Sequence, residues 1–372
     1  MNKQKLLFLS SIAAPHQIKF CEALQEYFQT EFWFYESAER TRGSWWQIDL
    51  GRHCRILDNV FYPKSGRHEG RYWASGLTGQ LDQFNPDIVM LGGFSIPSNL
   101  AAHQWARRKN KKTIVFTERS RDRKGVLRKR SLGWRALRWL YRDVDMVMVS
   151  AEDAVTQFRD EFGFGSKVVA GRYSSDLDDY FNHPMREAKP AYTYLFANRM
   201  TEIYNPIGAI EIFAQVLSRH PGSRLVMNAA GEMGDACRVR IAELGMGDTV
   251  EFLTNLKSWS ELGHVYARCD ILLLPANFSN GNFTILEAMA SGMGVVVSNR
   301  VLGIGKMVRD GYNGFNCEPT TVSFVSRIER YIQQPNLFKV HTEINRPIVE
   351  PLSASGTAKF FSEILQLTVT KP

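Results

Sequence analysis

The stretch that decides the fold is PANFSNGNFTILEAMASG, residues 275–292, which lies between the apolar runs Ile271–Leu274 and Val295–Val297. This order predicts a strand, a polar loop rich in Asn, Ser and Gly, and a helix that begins near Asn282. The first turn of such a helix points unpaired backbone N–H groups at the strand end, where an anion can bind. Glu287, just over one turn into the helix, would accept hydrogen bonds from hydroxyl groups beside that anion. An ordinary strand–loop–helix connection is the alternative that these residues leave open.

Apolar runs of strand length alternate with helix-like segments along the chain. Near-continuous apolar strands are typical of parallel sheets covered by helices on both faces. Two such series predict two doubly wound, Rossmann-like α/β domains. The first series comprises Lys5–Ser11, Glu31–Tyr35, Arg55–Asn59, Asp87–Leu91, Thr113–Thr117, Asp145–Ser150 and Lys167–Ala170. The second comprises Tyr192–Ala197, Arg224–Asn228, Val250–Leu253, Ile271–Leu274 and Gly294–Ser298.

The domain boundaries follow from the two series. We expect a first domain over residues 1–175, a linker rich in polar, Asp and Pro residues over 176–190, and a second domain over 191–350. A C-terminal helix over 351–372 is expected to pack back towards the first domain. Open α/β sheets bind ligands at the carboxyl ends of their strands, so a cleft between two such domains is the expected site.

Composition is that of a soluble globular protein, with 372 residues, 44% hydrophobic and 23% charged. The longest apolar runs have the length of strands, which predicts no membrane-spanning helix. Lys3 and Lys5 before Leu6–Ala14 faintly resemble a signal peptide, but the short apolar run favours a buried first strand. The five cysteines are dispersed, which suits reduced thiols in a cytoplasmic protein better than disulfides or a zinc site.

The net charge of +8 is unevenly distributed. Residues 101–142 contain 15 basic residues and two acidic ones. Within this region Arg119–Arg142 combines ten basic residues with Trp134, Trp139 and several leucines. A basic helix with Trp and Leu is typical of contact with an anionic membrane surface. A solvated basic helix that packs its apolar face on the sheet is the alternative, and no nucleic-acid-binding module is present in the sequence.

Several segments resemble a known family. Phe283–Gly292 with the following Val295–Val297 is similar to the core signature of family 4 retaining glycosyltransferases, which have the GT-B fold. Other landmarks match in order and spacing, best over about residues 191–320: Ala197-Asn198-Arg199, Ala230-Gly231-Glu232, Thr249–Leu253 and Asp310–Phe315. The resemblance implies two Rossmann-like domains that face across a cleft, the first for the acceptor and the second for a nucleotide-sugar donor.

The resemblance also implies roles for individual residues of the second domain. Arg199 would face the donor diphosphate, where charge grows as the glycosidic bond breaks and a fixed cation gives strong stabilisation. Glu287 would accept hydrogen bonds from ribose hydroxyls. The remaining nucleotide contacts would be Gly231, Asn255, Leu256, Phe283 and Thr284, and the donor-sugar contacts Ser279, Asn280, Gly281 and Asn282. No metal and no other cofactor is implied.

Two positions depart from the family pattern. The family commonly has two glutamates that flank seven residues; Glu287 is the second, and Ser279 occupies the position of the first. The family's diphosphate-binding Lys falls on Tyr204 or Asn205. Loss of one transition-state cation costs on the order of 2–4 kcal/mol unless another replaces it.

In the first domain there are two further candidates, His16 from the resemblance and Glu118 from its position at a strand end in basic surroundings. His16, after the first strand, would contact the acceptor or the sugar, with a capping or core histidine as the alternative. Glu118, at a strand end, would orient the acceptor hydroxyl, with a salt bridge to Arg119 or Arg121 as the alternative.

The sequence thus indicates a retaining glycosyltransferase that moves a sugar from a nucleotide-diphosphate donor to a glycan or lipid-linked acceptor. The expected context is bacterial surface polysaccharide or lipopolysaccharide synthesis, in the cytoplasm and on the inner face of the cytoplasmic membrane, without a nucleic-acid partner. A nucleotide-sugar 2-epimerase is one alternative. A degenerate, non-catalytic nucleotide- or sugar-binding protein is the other, and the departures at Ser279 and Tyr204 are the evidence for it.

Overall fold

The computed structural model describes residues 3–36, 48–58, 60–61, 72–118, 132–150, 152–254, 256, 258, 261–279 and 283–369. The chain forms two compact units. Of the described residues, the first unit contains those up to Ser175 together with those from Ala354 onward, and the second contains those from Asp176 to Ser353.

The first unit is built on a seven-stranded, all-parallel sheet with the order β3-β2-β1-β6-β7-β8-β9; β4 and β5 form a separate antiparallel pair. Its strands are β1 Lys5–Ile12, β2 Gln29–Glu36, β3 Cys54–Ile56, β4 Val60–Phe61, β5 Trp73–Ala74, β6 Ile88–Gly92, β7 Lys112–Thr117, β8 Met146–Val149 and β9 Val168–Ala170. Its helices before the second unit are α1 Pro15–Leu24, α2 Leu77–Phe84, α3 Pro97–Arg108, α4 Leu132–Leu140 and α5 Glu152–Thr156.

The second unit is built on a six-stranded, all-parallel sheet with the order β12-β11-β10-β13-β14-β15. Its strands are β10 Thr193–Phe196, β11 Arg224–Asn228, β12 Val250–Leu253, β13 Ile271–Leu274, β14 Gly294–Ser298 and β15 Phe315–Cys317. Its helices are α6 Pro206–Arg219, α7 Gly234–Glu243, α8 Glu261–Arg268, α9 Phe283–Ala290, α10 Ile304–Met307, α11 Thr321–Gln333 and α12 Asn336–Val349.

Both sheets confirm the doubly wound α/β prediction. In each, the first strand lies in the interior and the chain winds outward first to one side and then to the other, so the strand order reverses beside β1 and beside β10. The central strands are apolar throughout because helices cover both faces: every residue of β13 and β14 is buried. Each buried Val or Leu side chain contributes roughly 1.5–3 kcal/mol to folding.

Residues 176–190 differ from the predicted linker. They belong to the second unit, where Leu177 and Tyr180 are buried in the same apolar cluster as Tyr266. The guanidinium of Arg186 is buried and donates hydrogen bonds to the carbonyl oxygens of Cys269 (2.8 Å) and Tyr266 (2.6 Å). The segment is therefore anchored to the second unit by a few buried side chains, while residues 187–190 are exposed to solvent.

The last helix, α13 Ala354–Val369, belongs to the first unit and packs on α1. The ring of Phe361 meets that of Phe20 edge to face, with centroids 5.0 Å apart. Ala358 and Leu365 are buried in the same cluster. The first unit therefore completes one face of its core with residues that follow the second unit in the chain.

We predict that Phe361→Ala lowers the free energy of unfolding by about 3–5 kcal/mol, because the ring is only 1% exposed and its loss leaves a cavity against α1. Chemical denaturation followed by circular dichroism measures the change. The control is Val322→Ala on α11, where the side chain is 76% exposed and the change should stay within about 0.5 kcal/mol. Equal stabilities of the two variants would contradict a core role for α13.

Candidate functional site

The candidate site lies in the second unit, at the carboxyl edge of its sheet. Four loops leave this edge after β11, β10, β13 and β14, and they comprise residues 229–233, 197–205, 275–279 and 299–303. The strand order reverses between β10 and β13. Doubly wound sheets bind ligands at such a reversal, because the connections on its two sides run to opposite faces and leave a crevice.

Hydrogen bonds join these four loops in series, and we call the set the loop belt. The loops after β10 and β11 are joined at Met200, whose N–H donates to Ala230 O (2.7 Å) and whose carbonyl accepts from Met233 N (2.9 Å). The loops after β13 and β14 are joined where Leu302 N donates to Ser279 O (2.9 Å). The belt thus fixes the spacing of all four loops.

The joint across the reversal itself is the most extensive. Ile203 O accepts from the N–H groups of Asn277 (2.8 Å) and Phe278 (3.1 Å), and the Asn277 amide donates to Glu202 O (3.0 Å). The Asn205 amide donates to Pro275 O (3.1 Å), while its side-chain oxygen caps α6 by accepting from Gly208 N (3.1 Å). Asn205, one of the two positions onto which the family's Lys falls, therefore serves as a structural link between β10, β13 and α6.

The first turn of α9 lies against the same edge. The Thr284 hydroxyl donates to the side-chain oxygen of the buried Asn198, at 3.1 Å, so the helix start is tied to the end of β10. Phe283 is 40% exposed and Arg199 is exposed. The exposed Arg199 and the N-terminus of α9 thus lie at one edge of the sheet, an arrangement that suits a phosphate-bearing ligand.

Gly231 is required by close packing within the belt. Its φ of 137° lies in the positive region that L-residues avoid, and a Cβ at this position would lie 2.3 Å from the carbonyl oxygen of Met200. The backbone of the loop after β11 can approach Met200 this closely only without a side chain.

Glu287 lies behind the first turn of α9 in a largely apolar environment. Its side chain is 5% exposed, and one carboxyl oxygen accepts a 2.5 Å hydrogen bond from the Tyr266 hydroxyl. Burial raises the pKa of Glu287 to about 7; the Tyr266 hydrogen bond lowers the pKa and the charge of Asp176 raises it further. Burial and the charge of Glu287 together hold the pKa of Tyr266 well above its ordinary value, so Tyr266 acts as a donor.

The other residues that the sequence predicted for the donor site are either packed in the structure or lie outside the described residues. Ser279 is buried and its backbone bridges to Val301, and Leu256 packs against the apolar cluster around α9. Asn255, Asn280, Gly281 and Asn282 lie outside the described residues. Tyr204 is partly buried against the core on both sides of the sheet.

In the first unit, His16 lies in the first turn of α1, just after β1, and is half-buried. Glu118 follows β7 and accepts a 2.5 Å hydrogen bond from the hydroxyl of Tyr173, which follows β9. Arg119 and Arg121, the alternative partners of Glu118, lie outside the described residues. Among the described residues, no group of three or more His, Cys, Asp or Glu is placed to hold a metal ion.

Tyr266 and Tyr173 were given no role in the site from the sequence, and Asn198 was noted only as part of the strand-end segment Ala197-Asn198-Arg199. The sequence position of Asn198 indicates a site residue, since it is the first polar residue after a buried strand at the predicted reversal. No sequence pattern indicates Tyr266 or Tyr173 as a site residue, because their partners Glu287 and Glu118 are 21 and 55 positions away. Only the packing of helices against strands brings these pairs together.

A second candidate surface is α4, the described part of Arg119–Arg142. Leu132 is 79% and Trp139 63% exposed, while Trp134 stacks on Phe162 with ring centroids 4.0 Å apart. A cavity of about 250 Å³ lies beside the helix and is lined by Trp134, Arg135, Arg138, Trp139, Arg142 and Phe162. No described helix is both long enough and apolar enough to span a bilayer.

Two family models match the chain. The model described as "Glycosyl transferases group 1" matches residues 182–346, and "Glycosyl transferase 4-like domain" matches residues 30–170. Together they cover the cores of both units, and the first contains the whole loop belt.

Curated relatives and solved structures are also similar to the chain. An exopolysaccharide phosphotransferase of Streptomyces coelicolor is 31% identical over 137 residues, covering 36% of this chain and 14% of that protein. A glycogen synthase of Mycobacterium tuberculosis is 23% identical over 195 residues, covering 52% of this chain and 47% of that protein. The chain thus matches less than half the length of these relatives. The crystal structure of Anabaena HepE in complex with UDP superposes with a TM-score of 0.69 at 16% identity, covering 98% and 100% of the two chains, which shows a shared fold.

We predict that Gly231→Ala lowers the free energy of unfolding by about 2–4 kcal/mol, because the new methyl group would displace the Met200 carbonyl and strain a positive φ. Thermal or chemical unfolding measures the change. Gly247→Ala is the matched control, since no described atom lies within 4 Å of the place that a Cβ would take there and its φ is not positive. Similar stabilities for the two variants would show that the approach of the two loops is not a constraint.

Proposed function

We propose that this chain, which belongs to the family 4 glycosyltransferases with the GT-B fold, transfers a sugar from a nucleotide-diphosphate donor to a glycan or lipid-linked acceptor. The observation that supports the proposal is the loop belt, which joins the loop that carries Arg199 to the loop before α9, the helix that contains Glu287, across the strand reversal of one sheet. The complex of HepE with UDP supports a nucleotide as the ligand of a chain with this fold.

The proposed chemistry is transfer with retention at the anomeric carbon. The bond from this carbon to the β-phosphate oxygen breaks, and a bond to an acceptor hydroxyl oxygen forms on the same face of the sugar. Because the leaving diphosphate lies on that face, one of its oxygens can take the hydroxyl proton. The products are the glycosylated acceptor and a nucleoside diphosphate. The family matches favour this transfer over 2-epimerisation of the donor.

Charge develops on the departing diphosphate, and we propose that groups of the second unit stabilise it. In this proposal Arg199 supplies a guanidinium, and the start of α9 at Phe283 and Thr284 supplies the positive end of the helix dipole. Donors fixed before the reaction need little reorganisation as charge develops, and each contributes about 3–4 kcal/mol. We therefore propose that no metal or other cofactor is required and that turnover survives a chelator.

The two departures from the family pattern have structural uses here. Asn205 caps α6 and ties it to the end of β13, and Tyr204 packs in the core, so neither supplies the charge of the family's Lys. Ser279 joins the loop after β13 to the loop after β14. We propose that the donor sugar is held mainly by residues 280–282 and that Arg199 carries more of the diphosphate charge than in relatives that retain the Lys.

For the acceptor we propose a growing bacterial surface polysaccharide, in line with the similarity to the exopolysaccharide phosphotransferase. Glu118 is the candidate for orienting the acceptor hydroxyl. It is exposed at the carboxyl edge of the first sheet, and Tyr173 holds one of its oxygens. His16 is the candidate for a contact with the acceptor or the sugar, since it follows β1 at the same edge.

Arg199→Ala is expected to lower kcat/KM by about 10²–10³, the effect of removing one preorganised donor from a developing oxyanion. Nucleoside-diphosphate release from UDP-glucose and GDP-mannose, with and without a lipid-linked glycan acceptor, measures the turnover. Arg224→Ala is the control: Arg224 is also an exposed arginine, but it begins β11 at the opposite edge of the sheet. Nucleotide binding by the wild-type protein without turnover on any acceptor would favour the non-catalytic binding protein.

We further propose that α4 rests on an anionic membrane surface on the cytoplasmic side. Its exposed Trp139 and Leu132 suit the interfacial region, and Arg135, Arg138 and Arg142 suit lipid phosphates. The stacking of Trp134 on Phe162 holds the helix to the first unit, so the exposed face is a fixed platform. A lipid-linked acceptor would be presented at such a surface.

Arg135→Glu is expected to weaken binding to phosphatidylglycerol vesicles by about thirtyfold, since one charge near such a surface contributes about 1 kcal/mol and its reversal about twice that. Trp139→Ser removes an interfacial aromatic side chain without changing the charge, and we expect it to weaken the binding by about tenfold. Co-sedimentation measures binding, and salt should weaken it. The control Arg224→Glu makes the same charge change on the second unit and should leave vesicle binding unchanged. Equal loss in Arg135→Glu and Arg224→Glu, with no loss in Trp139→Ser, would mean that net charge alone governs adsorption and would contradict a specific role for α4.

A further inference from the structure

Glu287 is supported from behind by a chain of buried hydrogen bonds. Tyr266, on α8, is fully buried and donates its hydroxyl proton to one Glu287 oxygen at 2.5 Å. Arg186 in turn donates to the backbone carbonyls of Tyr266 and Cys269, which fixes the end of α8. The ring of Tyr180 packs edge to face on Tyr266, with centroids 5.3 Å apart.

We propose that Tyr266 is a positioning residue for the nucleotide: its hydroxyl fixes the Glu287 carboxylate so that the remaining lone pairs accept from the two ribose hydroxyls. The inference rests on the proposed function, because it takes the ribose of the donor as the ligand. A carboxylate offers about four lone-pair sites, and Tyr266 occupies one of them. A buried Glu held in one rotamer before the ligand arrives loses less conformational entropy on binding.

The role of Tyr266 is electrostatic as well as steric. Glu287 is desolvated, which favours the neutral acid, and the Tyr266 hydrogen bond is the interaction that favours the carboxylate. A neutral carboxyl keeps a proton on one oxygen and is a poorer acceptor for a diol. The ionisable groups that act on Glu287 itself are Tyr266 on α8 and Asp176 before β10. Those that act on its neighbours Tyr266, Tyr180 and His183 are Cys269, Asp179, Arg186, His264 and Arg346.

Binding and ionisation are therefore coupled. Ribose hydroxyls donate hydrogen bonds without adding charge, so they stabilise the carboxylate, and nucleotide binding releases a proton when pH is near the pKa of Glu287, about 7. For the wild-type protein the affinity for UDP-glucose should rise about tenfold between about pH 6 and pH 8. A nucleotide sugar is the appropriate probe, because its diphosphate is esterified at both ends and does not titrate in this range.

In Tyr266→Phe the interaction that favours the carboxylate is lost, so the pKa of Glu287 should rise. The affinity for UDP-glucose near neutral pH should fall about tenfold and recover at about pH 9, which displaces the pH profile upward. Isothermal titration calorimetry at several pH values, with UDP-glucose and with GDP-mannose, measures this profile. A role for Tyr266 in packing alone would lower the affinity by the same factor at every pH, and that result would overturn the proposal.

Two variants serve as controls. Tyr194→Phe makes the same change at another buried tyrosine of this unit, whose hydroxyl has no partner among the described residues, and should leave the profile in place. In the Glu287→Gln background the affinity should no longer depend on pH, and Tyr266→Phe should have no further pH-dependent effect. A persistent shift in that background would assign the titration to another group and overturn the proposal.

A measurement without nucleotide separates this inference from the proposed function. Glutamate labelled with ¹³C at Cδ reports the Glu287 titration by NMR, with the signal assigned through Glu287→Gln. We expect Tyr266→Phe to move the midpoint to higher pH; an unchanged midpoint overturns the positioning role. If the wild-type protein binds neither nucleotide sugar while the midpoint still moves, the proposed function fails and the electrostatic coupling of Tyr266 to Glu287 stands.

Discussion

The second unit depends on the hydrogen bonds that join the loops after β10 and β13. A doubly wound sheet opens at its strand reversal, so the backbone groups of the loops there need partners that the sheet cannot provide. Asn277, Phe278 and Asn205 provide them across the reversal. Each bond contributes only about 1 kcal/mol net. Their larger effect is geometric, since the spacing of Arg199, Asn198 and α9 follows from them.

Within this framework the burial of Glu287 lowers the stability of the folded state. The pKa of Glu287 rises on folding from 4.5 to about 7. Between these two pH values Glu287 therefore carries a proton in the folded state and has lost it in the unfolded chain. The contribution of Glu287 to stability is therefore unfavourable above the unfolded pKa and grows more so as pH rises towards 7. Such a sacrifice of stability is typical of groups that are kept for a ligand.

The sequence predicts the fold well where the signal is local. Long apolar runs such as Ile271–Leu274 and Gly294–Ser298 identify buried strands, because helices cover both faces of the sheet. It predicts poorly where the signal is short or interrupted. The edge strand β15 has three residues, and α12 contains Pro347 and follows Pro335, so neither was predicted. In the candidate site, Arg199, Gly231 and Glu287 could be proposed from the sequence because they follow predicted strands. Tyr266 could not, because its contact with Glu287 joins two helices and no sequence spacing indicates it.

The position of α13 has a consequence for synthesis on the ribosome. The α1 face of the first unit is completed by Phe361 and Leu365, which are translated only after all of the second unit. Until then Phe20 and its neighbours lack the covering helix and remain exposed to water. The second unit, whose described residues all lie between Asp176 and Ser353, can finish its core earlier. The half of the protein that is synthesised first is therefore the last to be completed, and it is the half that needs protection from aggregation while the chain is being made.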